Sequence, residues 1–130
     1  MKSLFFSLLI VATTTLQANS VELMLESYQS DGAGPFSVEQ GRQAWERSVV
    51  DKKSGKSRSC SDCHTDDLGK PGRHVKTGKR IEPLAPSANA KRLTDPKQIR
   101  KWFKRNCKWT WGRVCTPQER GDLLLFLQQH

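Results

Sequence analysis

Cys60, Cys63 and His64 stand together in the stretch "CSDCH". Two thiols separated by two residues can add to the two vinyl groups of one porphyrin. An imidazole that follows at once is then aimed at the iron from the same side, which is the attachment signal of c-type haem. A redox dithiol would sit in a strand–helix–strand context that the flanking sequence lacks, and zinc would need two further ligands. The motif implies one covalent haem c, with Cys60 and Cys63 as thioether donors and His64 as proximal ligand. The His64 imidazole is expected to donate its other nitrogen to a backbone carbonyl of the "IEPLAP" loop, at Pro83 or a neighbour.

The opposite axial position has no obvious occupant. Electron carriers usually place a methionine there. Beyond the first residues the chain has only Met24, upstream of the motif, whereas a one-haem cytochrome draws its sixth ligand from well after it. His74 lies among charges and glycines in "PGRHVKTG" and reads as solvated, and His130 is the last residue and reads as frayed. Asn106 is different. Ile99, Trp102, Phe103 and Asn106 stand at i, i+3, i+4 and i+7, which is one helix face. A polar side chain on an apolar face must find a partner. A helix cap and an amide oxygen on iron both satisfy that need, and the spacing leaves both open.

Cys107 and Cys115 follow, with seven residues between them. In an oxidising compartment two leftover cysteines are expected to pair, and the bond would fix the residue directly after Asn106. Trp109 and Trp111 in this loop read as packing with partial contact to the pocket.

Four helices have to position these groups. "VELMLESYQ" has the spacing of one short helix, ended by "SDGAGP". "SVEQGRQAWERSVV" opens with Ser37 and Gln40 in capping-box spacing, and its Gly41 and Trp45 share a face. "TDPKQIRKWFKRN" is capped by Thr94 or Asp95 with Pro96 in the first turn. "TPQERGDLLLFLQQ" has Thr116, Pro117 and Glu119 as its start, and Leu123, Leu124 and Leu127 as its apolar stripe. The second helix is expected to cross the last through Gly41, Trp45 and Leu123 to Leu127. Between about Val50 and Leu93 the chain is rich in Lys, Gly, Pro and Ser with little periodicity. So long an irregular segment requires something else to supply a core, and a haem wrapped by this segment does so.

The first 18 residues have one lysine, then an apolar run from Leu4 to Ala12. That run is about half the length a bilayer requires, so no membrane span is expected. It reads as a secretory signal, 1–18, followed by one domain, 19–130. Export to the periplasm permits both disulfides and covalent haem, and it argues against nucleic acid as partner despite a net charge of +9. The surplus charge suits docking onto an acidic partner.

From about Tyr28 onward the chain resembles one family, the sphaeroides haem proteins, which are oxygen-binding class I c-type cytochromes. The resemblance runs through "GRQAW", "CSDCH", "TGKRIEPLAPSA", "LTDPKQIRKWF", "RNC" and "GRVCTPQERGDLLLFL". Its specific part is "RNC" followed by "GRVCTP", since Cys-x-x-Cys-His occurs in all c-type cytochromes. The resemblance implies an all-α class I cytochrome c fold, Asn106 as axial ligand of the oxidised iron, and a Cys107–Cys115 disulfide. It implies that this ligand leaves on reduction, and that oxygen, nitric oxide and similar small molecules bind in its place. It also implies a dihaem cytochrome c as electron donor. Terminal oxidase or nitric oxide dioxygenase chemistry is the enzymatic form of this reading, and a plain periplasmic electron shuttle is its rival. The chemistry agrees, because an amide oxygen is a hard, neutral, weak donor that ferric iron tolerates better than ferrous.

Overall fold

In the computed structural model residues 19–130 are described, and the expected leader, 1–18, lies outside them. The chain order is α1 (Ser20–Ser30), α2 (Val38–Glu46), β1 (Val49–Val50), β2 (Ser57–Arg58), α3 (Ser61–His64), β3 (Gly72–Arg73), β4 (Arg80–Ile81), α4 (Pro96–Trp111) and α5 (Pro117–Gln128). The architecture is helical, as expected, with two small antiparallel hairpins, β1–β2 and β3–β4, inside the segment expected to be irregular. No helix among the described residues is long and apolar enough to cross a membrane.

Helix starts follow local chemistry. Asn19 caps α1 by accepting the Val21 and Glu22 amides at 3.0 Å, and the Glu22 carboxylate accepts the Asn19 amide in return. Thr116 and Glu119 close the expected box on α5. Asp95, rather than Thr94, caps α4 by accepting the Lys97 amide at 2.8 Å. Ser37 caps α2 through the Gln40 amide, but the returning Gln40 bond is missing. The Ser37 amide instead donates to the Asp122 carboxylate at 2.7 Å, a buried group of α5. A tertiary contact has replaced a local one.

The expected crossing of α2 and α5 is present and very close. A Cβ on Gly41 would lie 2.1 Å from the Asp122 carbonyl oxygen and 2.7 Å from the Phe126 Cβ. On α5 the burial exceeds the expected stripe. Leu123 and Leu127 join Trp45, Leu68 and Ala85 on one side, while Leu124 packs with Val21, Met24, Tyr28 and Ile99 on the other. The helix therefore runs through the middle of the domain, with Asp122 and Phe126 also buried.

Helix α4 continues five residues past Asn106, to Trp111, and ends at Gly112 in the left-handed conformation (φ +71°). Asn106 is thus not a helix cap. The stop signal is the glycine, whose missing Cβ removes the penalty of that backbone state.

Candidate haem site

A cavity of about 580 Å³ opens between α2, α4, α5 and the chain from Ser59 to Leu93. Its size suits a cofactor pocket. Trp45, Leu123 and Leu127 line it from α2 and α5, and Ile99, Trp102, Phe103 and Asn106 line it from one face of α4. Cys60, Cys63 and His64 line it from the motif. The sequence-predicted motif residues and Asn106, far from them in sequence, therefore meet around one space.

The motif is held by short-range bonds. The Asp62 carboxylate accepts the Ser59 amide at 2.7 Å, and the Ser59 hydroxyl accepts the Asp62 amide at 3.3 Å. The single turn of α3 then carries Cys63 and His64 into the wall. Gly72 packs against its end so closely that a Cβ there would meet the Cys63 carbonyl oxygen at 2.1 Å and the His64 Cα at 2.9 Å. The His64 ring rests on Trp45, with centroids 5.5 Å apart.

Burial pushes the His64 imidazole down to about 4, helped by the nearby Arg92, Arg105 and His74. It is neutral at pH 7 and keeps a lone pair for coordination. Burial, then the neighbouring Cys63, pushes the Cys60 thiol up to about 12. Neither motif cysteine is taken up in a disulfide, so both remain available for attachment. Two thiols, a neutral imidazole and a large apolar space suit a covalently attached porphyrin. Among the described residues no three His, Cys, Asp or Glu side chains converge as a bare-ion site would require.

The expected hydrogen bond is absent: among the described residues none joins the His64 ring to a carbonyl of the "IEPLAP" loop, at Pro83 or a neighbour. The Pro83 carbonyl accepts instead from Arg92 Nε at 2.8 Å and from Asn89 Nδ2 at 3.4 Å. Arg92 also donates to the Glu82 carbonyl at 2.7 Å and lies over the Trp102 ring at 4.5 Å. It ties the loop before α4 to α4 itself.

At the end of α4 Cys107 and Cys115 form the expected disulfide, with Cα atoms 5.6 Å apart and both residues buried. Asn106 sits immediately before it. Trp109 and Trp111 both reach the cavity. Trp109 is held between Arg58, 4.2 Å from its ring centroid, and His74, whose ring lies 5.2 Å away. Trp111 is covered by Arg47 at 4.8 Å and Arg113 at 5.5 Å.

Two histidines differ from expectation. His74 is half-buried in the cavity wall rather than solvated, because the β3–β4 hairpin folds its ring back against Trp109. His130 is packed edge-on against Phe126 at 4.9 Å, and its carbonyl accepts the Ser87 hydroxyl. The role of His74 in the wall was hidden because its contact partner lies 35 residues away in sequence.

Comparison with known proteins gives the same picture. A family model described as a domain of unknown function, DUF1924, matches residues 31–127. The cytochrome c-type protein SHP of Cereibacter sphaeroides is 38% identical over 104 residues, covering 80% of this chain and 79% of that protein. Cytochrome c'' of Methylophilus methylotrophus is 38% identical over 74 residues, covering 57% of this chain and 51% of its relative. Among solved structures, oxidised SHP, an oxygen-binding cytochrome c, superposes with a TM-score of 0.76 at 35% identity. That match covers 88% of this chain and all of the other. Oxidised cytochrome c'' superposes with a TM-score of 0.73 at 31% identity, covering 83% and 92% of the two chains. The chain belongs to the DUF1924 family and is a c-type cytochrome of the sphaeroides haem protein kind, a class I-like helical fold with one covalently bound haem c.

Proposed function

We propose that this chain is an exported haem protein of the periplasm that takes up one electron and then binds a diatomic ligand. Cys60 and Cys63 hold the haem as thioethers, His64 is the proximal ligand, and Asn106 is the sixth ligand of the oxidised state. When bound, the haem supplies an iron centre that changes oxidation state and takes small ligands such as oxygen, carbon monoxide and nitric oxide.

One observation carries the reading: Asn106 shares the cavity with His64 while its helix runs on past it. The side chain is not consumed by a helix end and stands with Ile99, Trp102 and Phe103 at the cavity surface. Its amide oxygen is a hard neutral donor, so Asn106 holds on in the ferric state and lets go on reduction. The neutral imidazole of His64 suits both states.

Oxygen binding is named for the oxidised SHP structure, and haem-ligand detachment for the solution structure of cytochrome c''. Neither name carries oxidase or dioxygenase turnover, so the proposal stops at ligand binding. The electron donor in this reading is a dihaem cytochrome c with an acidic face, met by the basic surface of a chain with net charge +9. Electron transfer at low protein concentration should then slow as salt rises.

The test is the optical spectrum of the reduced protein with and without carbon monoxide. A five-coordinate, high-spin ferrous spectrum that shifts on adding the gas is expected. Asn106→Ala should keep the haem attached, open the ferric site to water or added anions, and change ferrous gas binding less. A reduced protein that stays low-spin and refuses carbon monoxide would make the chain a plain electron shuttle.

A further inference from the structure

His74 lines the cavity, yet nothing in the proposed ligand set uses it. Its Nδ1 accepts two backbone amides of its own hairpin, Lys76 at 3.2 Å and Thr77 at 3.3 Å. A neutral imidazole whose Nδ1 is an acceptor carries its proton on Nε2. That nitrogen has no free lone pair for iron and is committed as a donor. A haem offers such a donor one class of peripheral acceptor, its two propionate carboxylates, because the rest of the macrocycle edge is hydrocarbon.

The surroundings suit carboxylates. Lys79 and Arg105 also line the cavity, and among the described residues neither is in an ion pair. The other two cations of the wall are engaged: Arg80 pairs with Glu82 at 2.9 Å, and Arg92 is bonded to the Pro83 and Glu82 carbonyls. Two cations outside any ion pair and one histidine N–H thus line the space for a cofactor that would bring two negative charges.

We propose that His74 holds a haem propionate through Nε2–H, with Lys79 and Arg105 as the balancing charges, and that it is not an iron ligand. The inference rests on the haem assignment above. Its ring is fixed from behind by the hairpin, and Trp109 fixes its plane. A preset donor of this kind loses little freedom when it bonds, which is why it can select one orientation of the cofactor.

The test uses the haem-loaded protein with isotope-labelled propionate carboxylates, read by redox-difference infrared spectroscopy and by the midpoint potential. His74→Asn is the informative variant, because an asparagine oxygen can still accept the hairpin amides while its amide nitrogen stops short of the position held by Nε2. In His74→Asn and His74→Ala alike, the labelled carboxylate bands should shift and the potential should fall, since a less compensated negative charge favours the ferric state. Covalent haem and the ferric axial-ligand spectrum should stay as in the wild type, and Arg105→Ala should lower the potential further. Bands and potential unchanged in His74→Asn would reduce His74 to a hairpin anchor and overturn the proposal. A changed ferric ligand spectrum would put His74 at the iron, and a change confined to the carbon monoxide complex would put it on the gas; either result overturns it. Loss of haem from the wild type in acidified organic solvent would instead overturn the attachment reading.

Discussion

The two walls of the cavity are built by opposite means. The wall with His64 is a single helical turn between loops, fixed by bonds spanning four residues or fewer and by the close seat of Gly72. The wall with Asn106 is a 16-residue helix whose far end is fastened by ties from elsewhere: the disulfide to Cys115, Arg58 on the Trp109 carbonyl at 3.0 Å, and Arg47 over Trp111. A side chain placed by its covalent neighbours has little room to move. One placed by tertiary ties moves as those ties allow, which is the behaviour the proposed function requires of Asn106.

The largest effect should come from breaking the local wall. Gly72→Ala pushes a methyl group into the Cys63 carbonyl and the His64 backbone, neither of which can swing aside like a side-chain tip. Overpacking of this kind costs about 1–3 kcal/mol or more. Here it should also lower the yield of covalent haem, measured by absorbance per chain after denaturing extraction. Gly41→Ala is the control. Its clash with the Asp122 carbonyl is equally short, but it lies at the α2–α5 crossing, away from the motif. It should lower thermal stability comparably while the folded fraction keeps its haem. Equal haem loss in both variants would mean that the motif wall is not set locally.

The contrast also explains what the sequence made legible. Motifs carried by neighbours in sequence could be read: the cysteine pair with His64, the boxes on Thr116, and the Gly41–Trp45 face. Most features made by distant partners could not, the α2–α5 crossing at Gly41 being the exception. The Ser37 amide looks for Gln40 by local rule and finds Asp122, 85 residues on. The hairpins have strands of two residues, too short to show any period. The sequence pattern ends α4 at Asn106, which resembles a stop, whereas Gly112 carries the signal that the fold uses. His74 reads as solvated until the fold brings Trp109 beside it.

The distal wall should break at its covalent tie. Replacing Cys107 and Cys115 together by serine should cost about 2–3 kcal/mol by loop-entropy arithmetic. More telling is the expected division of labour. Covalent haem and the His64 bond should survive, while the ferric spectrum should show partial loss of the sixth ligand and faster anion binding. A variant as firmly six-coordinate as the wild type would show that α4 alone positions Asn106, and that the tertiary tie serves stability only.

The smallest effect concerns a tie that senses pH. Glu119 accepts Arg113 Nη1 at 2.8 Å and Nη2 at 2.7 Å, Arg47 Nη1 at 2.9 Å, and the Thr116 amide at 2.9 Å. It thereby closes the loop that the disulfide also spans, and Arg47 and Arg113 are the two guanidinium groups over Trp111. The Arg113 hydrogen bonds hold the Glu119 carboxyl down to about 2, with the Thr116 amide and Arg47 adding to the effect. A carboxyl lowered on folding contributes stability that is full above its unfolded value, about 4.3, and is lost as pH falls toward the folded value. Glu119→Gln should therefore cost about 1–2 kcal/mol at pH 7, as charge-assisted bonds in a half-screened site do. The difference from wild type should shrink between about pH 4.5 and pH 2, followed by thermal unfolding across that range. Because these arginines cover Trp111 on the Asn106 wall, the variant should also loosen the sixth ligand slightly, leaving His64 untouched. A stability difference that does not change with pH would assign the loss to the helix cap on Thr116 rather than to the charge network.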